Sequence, residues 1–515
     1  VFDKDLGDSR ISYKEGGMRE FTVYDVFRRN AEVYGSQPSL VCGGLSHSCQ
    51  EVFHRINRLA AGFHRKGIGK GDRIGILAYN CHRYFEIFGA AAAVGAIVVP
   101  INWRLSLDEI EHILLDCTPK ALCVDSEHTD AAAKMAENGF RGLILGFAPD
   151  SLTPLEGLIQ EAGISVPELV SDDPFCIIYT AAVAGKSRGA VLSHGNILAS
   201  NLQTIATMGL HAGDAYLNML PIFHITGLNL SLSVMHAGGK NVIMERFDAR
   251  KSLENIDREE ITIIGSFPPI LSNLTSEIDE GKFRLSSLRH VLGLDNPDAI
   301  RAFESKTHAT FWTLYGQTET SGMVSFSPAR ERLGSAGKPG LLIRMQLVDE
   351  GEKPVAVGEV GEIAVQGPLV FLGFWNQEED NRYTFRNGWH HTGDLGRLDE
   401  DGYLWFAGRK PEKELIKPGG ENVYPAEVEQ VILEHPDVDS ASVIGVPDPK
   451  FGEGVKAVCV LKPGKTLSPE ELVEFVAGRI ARYKKPRYVQ FVESLPKTTS
   501  GAVDRAKVKE LYGRE

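Results

Sequence analysis

From Asp72 the chain reads RIGILA, an apolar run short enough for a buried strand. A polar turn follows, then HRYFEIFGAAAAVGA at helical length, then IVVP as a second strand. The same strand, helix, strand order recurs downstream, where KALCVD, GLILGF, FCIIYT, ITIIGSF, LRHVLGL and ATFWTLYG are further apolar strands. This predicts α/β layers with mostly parallel sheets, whose ligands sit at the carboxyl ends of the strands. After about Met345 the texture changes. MQLVDEGEKPVAVGEVGEIAVQG and GRLDEDGYLWFAGR alternate apolar and polar residues around Asp-Gly and Glu-Gly turns, which are hairpin signals. Beyond Arg409 the stretch KPEKELIKPGGENV, dense in Lys, Glu, Pro and Gly, reads as a linker. The expected organisation is a large N-terminal domain of layered α/β sheets plus a β-rich subdomain, residues 1–409, and a small α+β C-terminal lid domain, residues 410–515.

A length of 515 residues exceeds one ordinary core, and 43% hydrophobic with 24% charged residues is typical of soluble multidomain proteins. The 55 basic and 68 acidic side chains give a net charge of -13, which disfavours nucleic acid and anionic lipid as partners. Cys42, Cys49, Cys81, Cys117, Cys123, Cys176 and Cys459 form no CxxC pair or zinc spacing, so free thiols in a reducing compartment are expected. FGAAAAVGAIVVPIN is broken by Gly and ended by Pro100, short of the roughly 20 residues of a membrane span. With no signal peptide ahead of it, the chain reads as cytoplasmic.

Candidate chemistry lies in four stretches. YTAAVAGKSRGA, Tyr179 to Ala190, contains AGKS, but the Walker A pattern requires Gly five residues before the Gly-Lys-Ser triplet, and that position is Thr180. FCIIYT, a Gly-containing basic loop and the helix-like HGNILASNLQTI would together make a phosphate cradle of backbone N–H groups, with Lys186 and Arg188 adding charge. A solvated turn with two basic side chains explains the residues alone at least as well. In YGQTET, Thr318 suits a phosphate and Glu319 suits Mg²⁺, with a strand-end cap as the alternative. Asp394, in a tight Thr-Gly-Asp-Leu-Gly turn, suits both hydroxyls of a ribose or a structural Asx-turn. LPKTTSGAVDR, Leu495 to Arg505, closes the set.

In this order and spacing the four stretches resemble the AMP-forming acyl-CoA synthetases, the adenylate-forming family that also includes luciferases and peptide-synthetase adenylation domains, over nearly the whole chain. YGxTE, TGDxGxxDxxGYLxxxGR, KxGGENVxPxEVE and LPKTxSG match Tyr315 to Glu319, Thr392 to Arg409, Lys417 to Glu429 and Leu495 to Gly501. The resemblance implies a ligase that activates a carboxylate with ATP and Mg²⁺, passes the acyl-adenylate to coenzyme A, and moves its C-terminal domain between the two steps. It implies ATP phosphates on Thr180, Gly185, Lys186, Arg188 and Gly189, and Mg²⁺ on Thr180 and Glu319. Thr318 would meet the α-phosphate, Asp394 the ribose, and Arg409 the ribose or a phosphate. Gly293, Leu294, Asp295 and Tyr315 would hold adenine, with Gly316 and Gln317 beside it. His224 would gate the acyl pocket, lined by Gly227, Leu228 and Gly316. Lys417, Gly419, Gly420 and Glu421 would line the coenzyme A tunnel. A homodimer is left open by the resemblance.

Three departures stand out. Ala181, Ala182, Val183 and Ala184 replace the loop's usual hydroxyl residues. Ala502 stands where the family carries the Lys that bridges carboxylate and α-phosphate, a loss worth about 10²–10³ in adenylation rate. The chain is therefore expected to be a Lys-to-Ala variant or a relative impaired in its first half-reaction. The hinge segment KPEKELIK is two residues longer than the usual pattern, which places the pivot at Lys413 in preference to Lys410. FHITGLNLSLSVMHAGG carries no Arg or Lys, so an apolar monocarboxylate, aromatic, alicyclic or medium-chain, is expected, with Gly227 and Gly238 leaving room. The competing expectations are an acyl-AMP ligase loading a carrier protein and a non-catalytic acyl-adenylate or coenzyme A binder.

Overall fold

A computed structural model of the chain describes residues 20–151, 153–159, 167–180, 187–280, 283–410, 415–497 and 503–513. The apolar runs of the first half form one sheet. Leu143–Gly146, Ala121–Val124, Arg73–Leu77, Ile97–Pro100 and Pro174–Thr180 lie side by side and parallel; Arg188–Ser193 adds antiparallel to the last, and Gly373–Phe374 pairs antiparallel with it at the edge. A second sheet runs parallel through Pro38–Cys42, Lys240–Ile243, Ala215–Asn218, Ile263–Ser266, His290–Gly293 and Thr310–Tyr315, with an antiparallel strand at each edge.

Two helices fill the space between these sheets, and their composition explains why. Arg83–Val94 is buried at every position after its first residue, and a helix apolar all round belongs between layers. Ile225–His236 turns Ile225, Leu228, Leu232 and Met235 toward the core of the first sheet, and Leu230 and Val234 toward Ile263 and Leu292 of the second. The layered α/β architecture expected from the sequence is present.

The β-rich part is the antiparallel set Arg344–Val348, Gly361–Gln366, Trp389–Leu398 and Phe385–Arg386, with Leu404–Arg409 beside Trp389–Leu398. Near the C-terminus, Val438–Asp448, Gly452–Leu461 and Tyr488–Phe491 form a three-stranded sheet. Alternation along its strands serves two layers. Val443, Val455, Ala457 and Cys459 pack with the helices Pro425–Leu433 and Pro469–Ala477. Ile444, Val446 and Val458 pack on the opposite face with Leu495, Val503 and Val508 of the closing segment.

The structure corrects three local expectations. The opening loop does not lead from a strand directly into a helix, because Arg188–Ser193 returns antiparallel along Pro174–Thr180 before His194–Met208 begins. Gly189 to Leu192 are buried in succession, as in a strand covered on both faces. Asp394 is not in a turn; it lies within Trp389–Leu398, paired with Arg409, and the Gly393 φ of 70° together with a bulge near Gly396 produces the turn-like spelling. The presumed linker is partly built structure, since Ile416 bridges Val423 and Pro418–Gly420 forms a 3₁₀ turn.

Candidate active site

Where Thr310–Tyr315 ends, the backbone passes very close to itself. A Cβ on Gly316 would lie 1.4 Å from the Gly322 carbonyl oxygen, so only glycine fits. The chain then enters a 3₁₀ turn, Thr318–Thr320, which sets Thr318 and Glu319 on the wall of a cavity of ≈ 470 Å³. Across the cavity the Tyr315 hydroxyl donates to Asp394 Oδ2 at 2.9 Å, Gln317 Nε2 donates to the same oxygen at 2.7 Å, and Arg409 Nε lies 3.3 Å from Oδ1. Burial and the adjacent Asp394 carboxylate push the Tyr315 phenol well above its ordinary value, so it stays protonated and donating. Two acceptors on this wall have no partner among the described residues, Asp295 Oδ2 and Gln317 Oε1. Burial raises the Asp295 carboxyl.

His224 precedes the first turn of Ile225–His236 without capping it, and its ring lines the cavity. Burial lowers its pKa, and Lys417 and Arg104 add to that against the opposing pull of Glu421. The imidazole is thus neutral at pH 7. It also lines a second cavity of ≈ 420 Å³, which shares Thr180, Thr318 and Asn422 with the first and extends past Glu109 and His112 toward the exposed Leu115.

The C-terminal sheet unit closes over both cavities. Gly419 and Gly420, at φ 59° and 89°, carry the chain over Pro268 and Phe267, and Lys417 and Tyr424 reach the first cavity. Burial and nearby Arg409 lower the Lys417 pKa. Glu421 pairs with Arg104. Lys484, 4% exposed, sits between Glu427 of its own unit and Glu109, whose Oε2 accepts Ala481 N at 3.1 Å and Ser106 N at 2.7 Å. Burial works against all three charges. Lys484 nonetheless holds the Glu109 carboxyl below its usual range, burial leaves Glu427 raised, and the two carboxylates raise Lys484.

Of the residues singled out in the sequence, His224, Thr180, Leu294, Asp295, Tyr315, Gly316, Gln317, Thr318, Glu319, Asp394, Arg409, Lys417 and Gly420 converge on the first cavity, and Glu421 lines the second. Gly185, Lys186, Lys413 and Ala502 lie outside the described residues. Arg188 does not line either cavity. Its guanidinium bonds Asp380 at 2.6 Å and stacks 4.2 Å over Phe374, because the hairpin strand turns it to the sheet edge. Gly189 sits on that strand against Ile177 and Tyr179, and Gly293 is a packing glycine whose Cβ would lie 1.6 Å from Ser266 O.

Gly227 and Gly238 do not leave room, since a Cβ would lie 2.2 Å from Pro221 O and 2.2 Å from the Tyr34 ring respectively. Leu228 faces the core, not the pocket, being fully buried in the cluster of the first sheet. Gly419 supports the loop beside Phe451 and Pro268. Sequence reasoning passed over Asn229, Met323, Phe406, Asn422, Tyr424, Glu109 and Lys484. Tyr424 and Asn422 could have been read from the GGENVYP stretch itself; Glu109 and Lys484 leave no local signal.

A layered α/β core with a nucleotide-sized cleft under a small closing unit defines a class, and comparison with known proteins agrees. The AMP-binding enzyme family model matches residues 27–375, and the AMP-binding enzyme C-terminal domain model matches residues 427–502. The chain belongs to the AMP-binding enzyme family of adenylate-forming acid–thiol ligases. It is 33% identical to the feruloyl-CoA synthase of Amycolatopsis sp, over 92% of this chain and 95% of that one. It is 33% identical to the indoleacetate–CoA ligase of Aromatoleum aromaticum, over 89% and 92%.

Among solved structures it resembles the o-succinylbenzoate CoA synthetase of Bacillus subtilis at 29% identity. The variant complex with a product analogue gives a TM-score of 0.84, covering 95% of this chain and 98% of that one. The complex of the same enzyme with AMP gives 0.69 at equal coverage. No helix among the described residues is long and apolar enough to cross a membrane.

Proposed function

We propose that this chain joins an apolar monocarboxylate to coenzyme A through an acyl-adenylate. The observation that carries the reading is the shared wall. Thr180, His224 and Thr318 border both a cavity with nucleotide-suited polar groups and a second cavity that leads outward between the N-terminal layers and the closing unit. In the first cavity Asp394, held by two hydrogen-bond donors and the Arg409 ion pair, would take the ribose hydroxyls, and Asp295 would lie beside the adenine. Glu319 and Thr180 fit Mg²⁺. Both present oxygen to the cavity, and among the described residues no ion pair reaches the Glu319 carboxylate. The ion would supply charge neutralisation for the phosphates.

Neutral His224, at the positive end of a helix, would orient the carboxylate and separate it from the thiol channel without adding a charge. Glu421 would line that channel, while Lys417 and Gly420 stand on the wall of the first cavity and Gly419 supports the loop between them. The boundary proposed for the closing unit is 410–515, with the pivot at Lys413. The AMP-bound and product-analogue comparisons support an arrangement of the units suited to thiol transfer. In it the segment around Val503 packs on the sheet face opposite Pro425–Leu433, the helix that borders the second cavity.

Ala502 would then limit adenylation alone. The test compares the chain with A502K, following AMP and acyl-CoA from a panel of apolar acids with ATP, Mg²⁺ and coenzyme A, and following thioester formation from supplied acyl-adenylate. The expected result is a gain of about 10²–10³ in adenylation on restoring the lysine, with thiol transfer unchanged. Absence of thioester from every supplied adenylate would refute the ligase reading, and transfer only to a phosphopantetheine carrier protein would replace the acceptor.

A further inference from the structure

The strand Gly361–Gln366 carries a buried carboxylate that lines neither cavity. Glu362 is 4% exposed, and its two oxygens have separate tasks. Oε1 accepts Gly393 N at 3.0 Å. Oε2 accepts Lys410 Nζ at 2.6 Å and lies 3.2 Å from His391 Nδ1, with Arg386 Nη2 at 3.5 Å. Burial opposes the charge of Glu362, but His391 and Lys410 outweigh it and hold the pKa at about 2. The carboxylate is therefore ionised at neutral pH and can only accept, which puts the proton of the His391 pair on Nδ1.

These contacts meet on one rung of a ladder. Asp394 is paired with Arg409, and the next rung is Gly393 with Lys410, whose N donates to Gly393 O at 3.0 Å. Gly393 is thus clamped on both sides, its N–H on Glu362 and its carbonyl on Lys410, whose side chain returns to Glu362. Beside it the Thr392 hydroxyl donates to Ile363 O at 2.7 Å and accepts Asp394 N at 3.1 Å. A glycine at φ 70° has other conformations open to it at little cost, so the clamp and not the residue fixes the direction in which the chain enters Asp394.

We propose that Glu362 is a positioning residue for the nucleotide. It fixes Gly393 and Lys410 against each other and so sets the spacing of Asp394 and Arg409, their neighbours on the two strands. This rests on the reading of Asp394 as the ribose contact and deepens it. Lys410 is held to the N-terminal layers by backbone and side chain alike, so a closing unit that turns at Lys413 leaves the ribose contact undisturbed. The nucleotide stays gripped by its sugar while the units rearrange between the two half-reactions.

The test titrates AMP and 2′,3′-dideoxy-AMP into the chain by calorimetry, because the two ligands differ only in the hydroxyls that Asp394 would accept. The unaltered chain is expected to prefer AMP by roughly 10- to 100-fold, as hydrogen bonds to a charged acceptor do. E362Q keeps the size of the side chain and removes its charge. It is expected to bring the preference to within about threefold while dideoxy-AMP binds as before. A general loosening of the cleft would weaken both nucleotides alike, so an unchanged ratio in folded E362Q would overturn the inference and leave the ligase reading standing. Should circular dichroism show E362Q unfolded, K410M, which removes one arm of the clamp at a side chain 22% exposed, is judged by the same ratio. Equal binding of the two nucleotides by the unaltered chain would take the ribose from Asp394 and overturn the inference with it. Failure to bind AMP at all would overturn the nucleotide reading as well.

Discussion

At the scale of single residues, Asp394 is the most heavily committed group in the cavity, taking Tyr315, Gln317 and Arg409 at once. Replacing it by Ala leaves those donors without their acceptor. D394A is expected to raise the KM for ATP by about 10- to 100-fold in the A502K background, measured by pyrophosphate release, with a smaller change in kcat. His194 gives a pH prediction. Its Nδ1 accepts from Val23 N at 3.3 Å, and burial depresses its pKa to about 4. Below its unfolded value near 6.5 the unfolded chain takes up a proton that the folded chain refuses, so stability falls as pH drops from 6.5 toward 4, by about 3 kcal/mol for this group. Denaturant midpoints measured between pH 7 and pH 4.5 should decline steadily.

Residue identity was legible for this site where type and spacing coincide, as in Tyr315, Thr318, Glu319 and Asp394. It was not legible for Asn229, whose amide is held by a serine 29 positions earlier in the chain. Nor was it for Arg188, whose charge suggested phosphate but whose partner Asp380 lies 192 positions away.

At the scale of elements, the helix Ile225–His236 holds two layers and the cavity wall together, and Gly227 lets it approach the Pro221 carbonyl. G227A is expected to push the helix outward and cost about 1–3 kcal/mol, read as a lower melting temperature with loss of ligand binding. Strands such as Arg73–Leu77 and Pro174–Thr180 could be found from the sequence because central parallel strands are apolar on both faces. Arg188–Ser193 was missed because it is short and follows a Gly-containing basic stretch, and only the ladder with Pro174–Thr180 marks it as a strand. Asp394 was assigned to a turn for the complementary reason. Two glycines within a strand spell a turn locally, while the register across Gly361–Gln366 and Leu404–Arg409 keeps the chain extended.

At the scale of the whole molecule, the closing unit is fastened by Lys484 between Glu109 and Glu427 and by Arg104 with Glu421. Removing one partner of a buried ion pair costs about 3–5 kcal/mol, most of it from the charge left behind. K484M, which strands two carboxylates, is expected to favour other arrangements of the unit and slow thiol transfer from supplied adenylate by at least about tenfold. Adenylation in the A502K background should be little changed. Single-turnover measurement of each half-reaction distinguishes this from general unfolding, which would lower both.

The wall shared by the two cavities has a kinetic meaning. On the proposed function, a mixed anhydride made on one side of His224 would already be beside the entrance through which its thiol arrives, so it would not need to pass through bulk water to be consumed. Its lifetime is then governed by the supply of acceptor. When acceptor ran short the molecule would stay loaded and stop accepting fresh acid, so that consumption of the carboxylate would be paced by the thiol pool without a separate regulatory site.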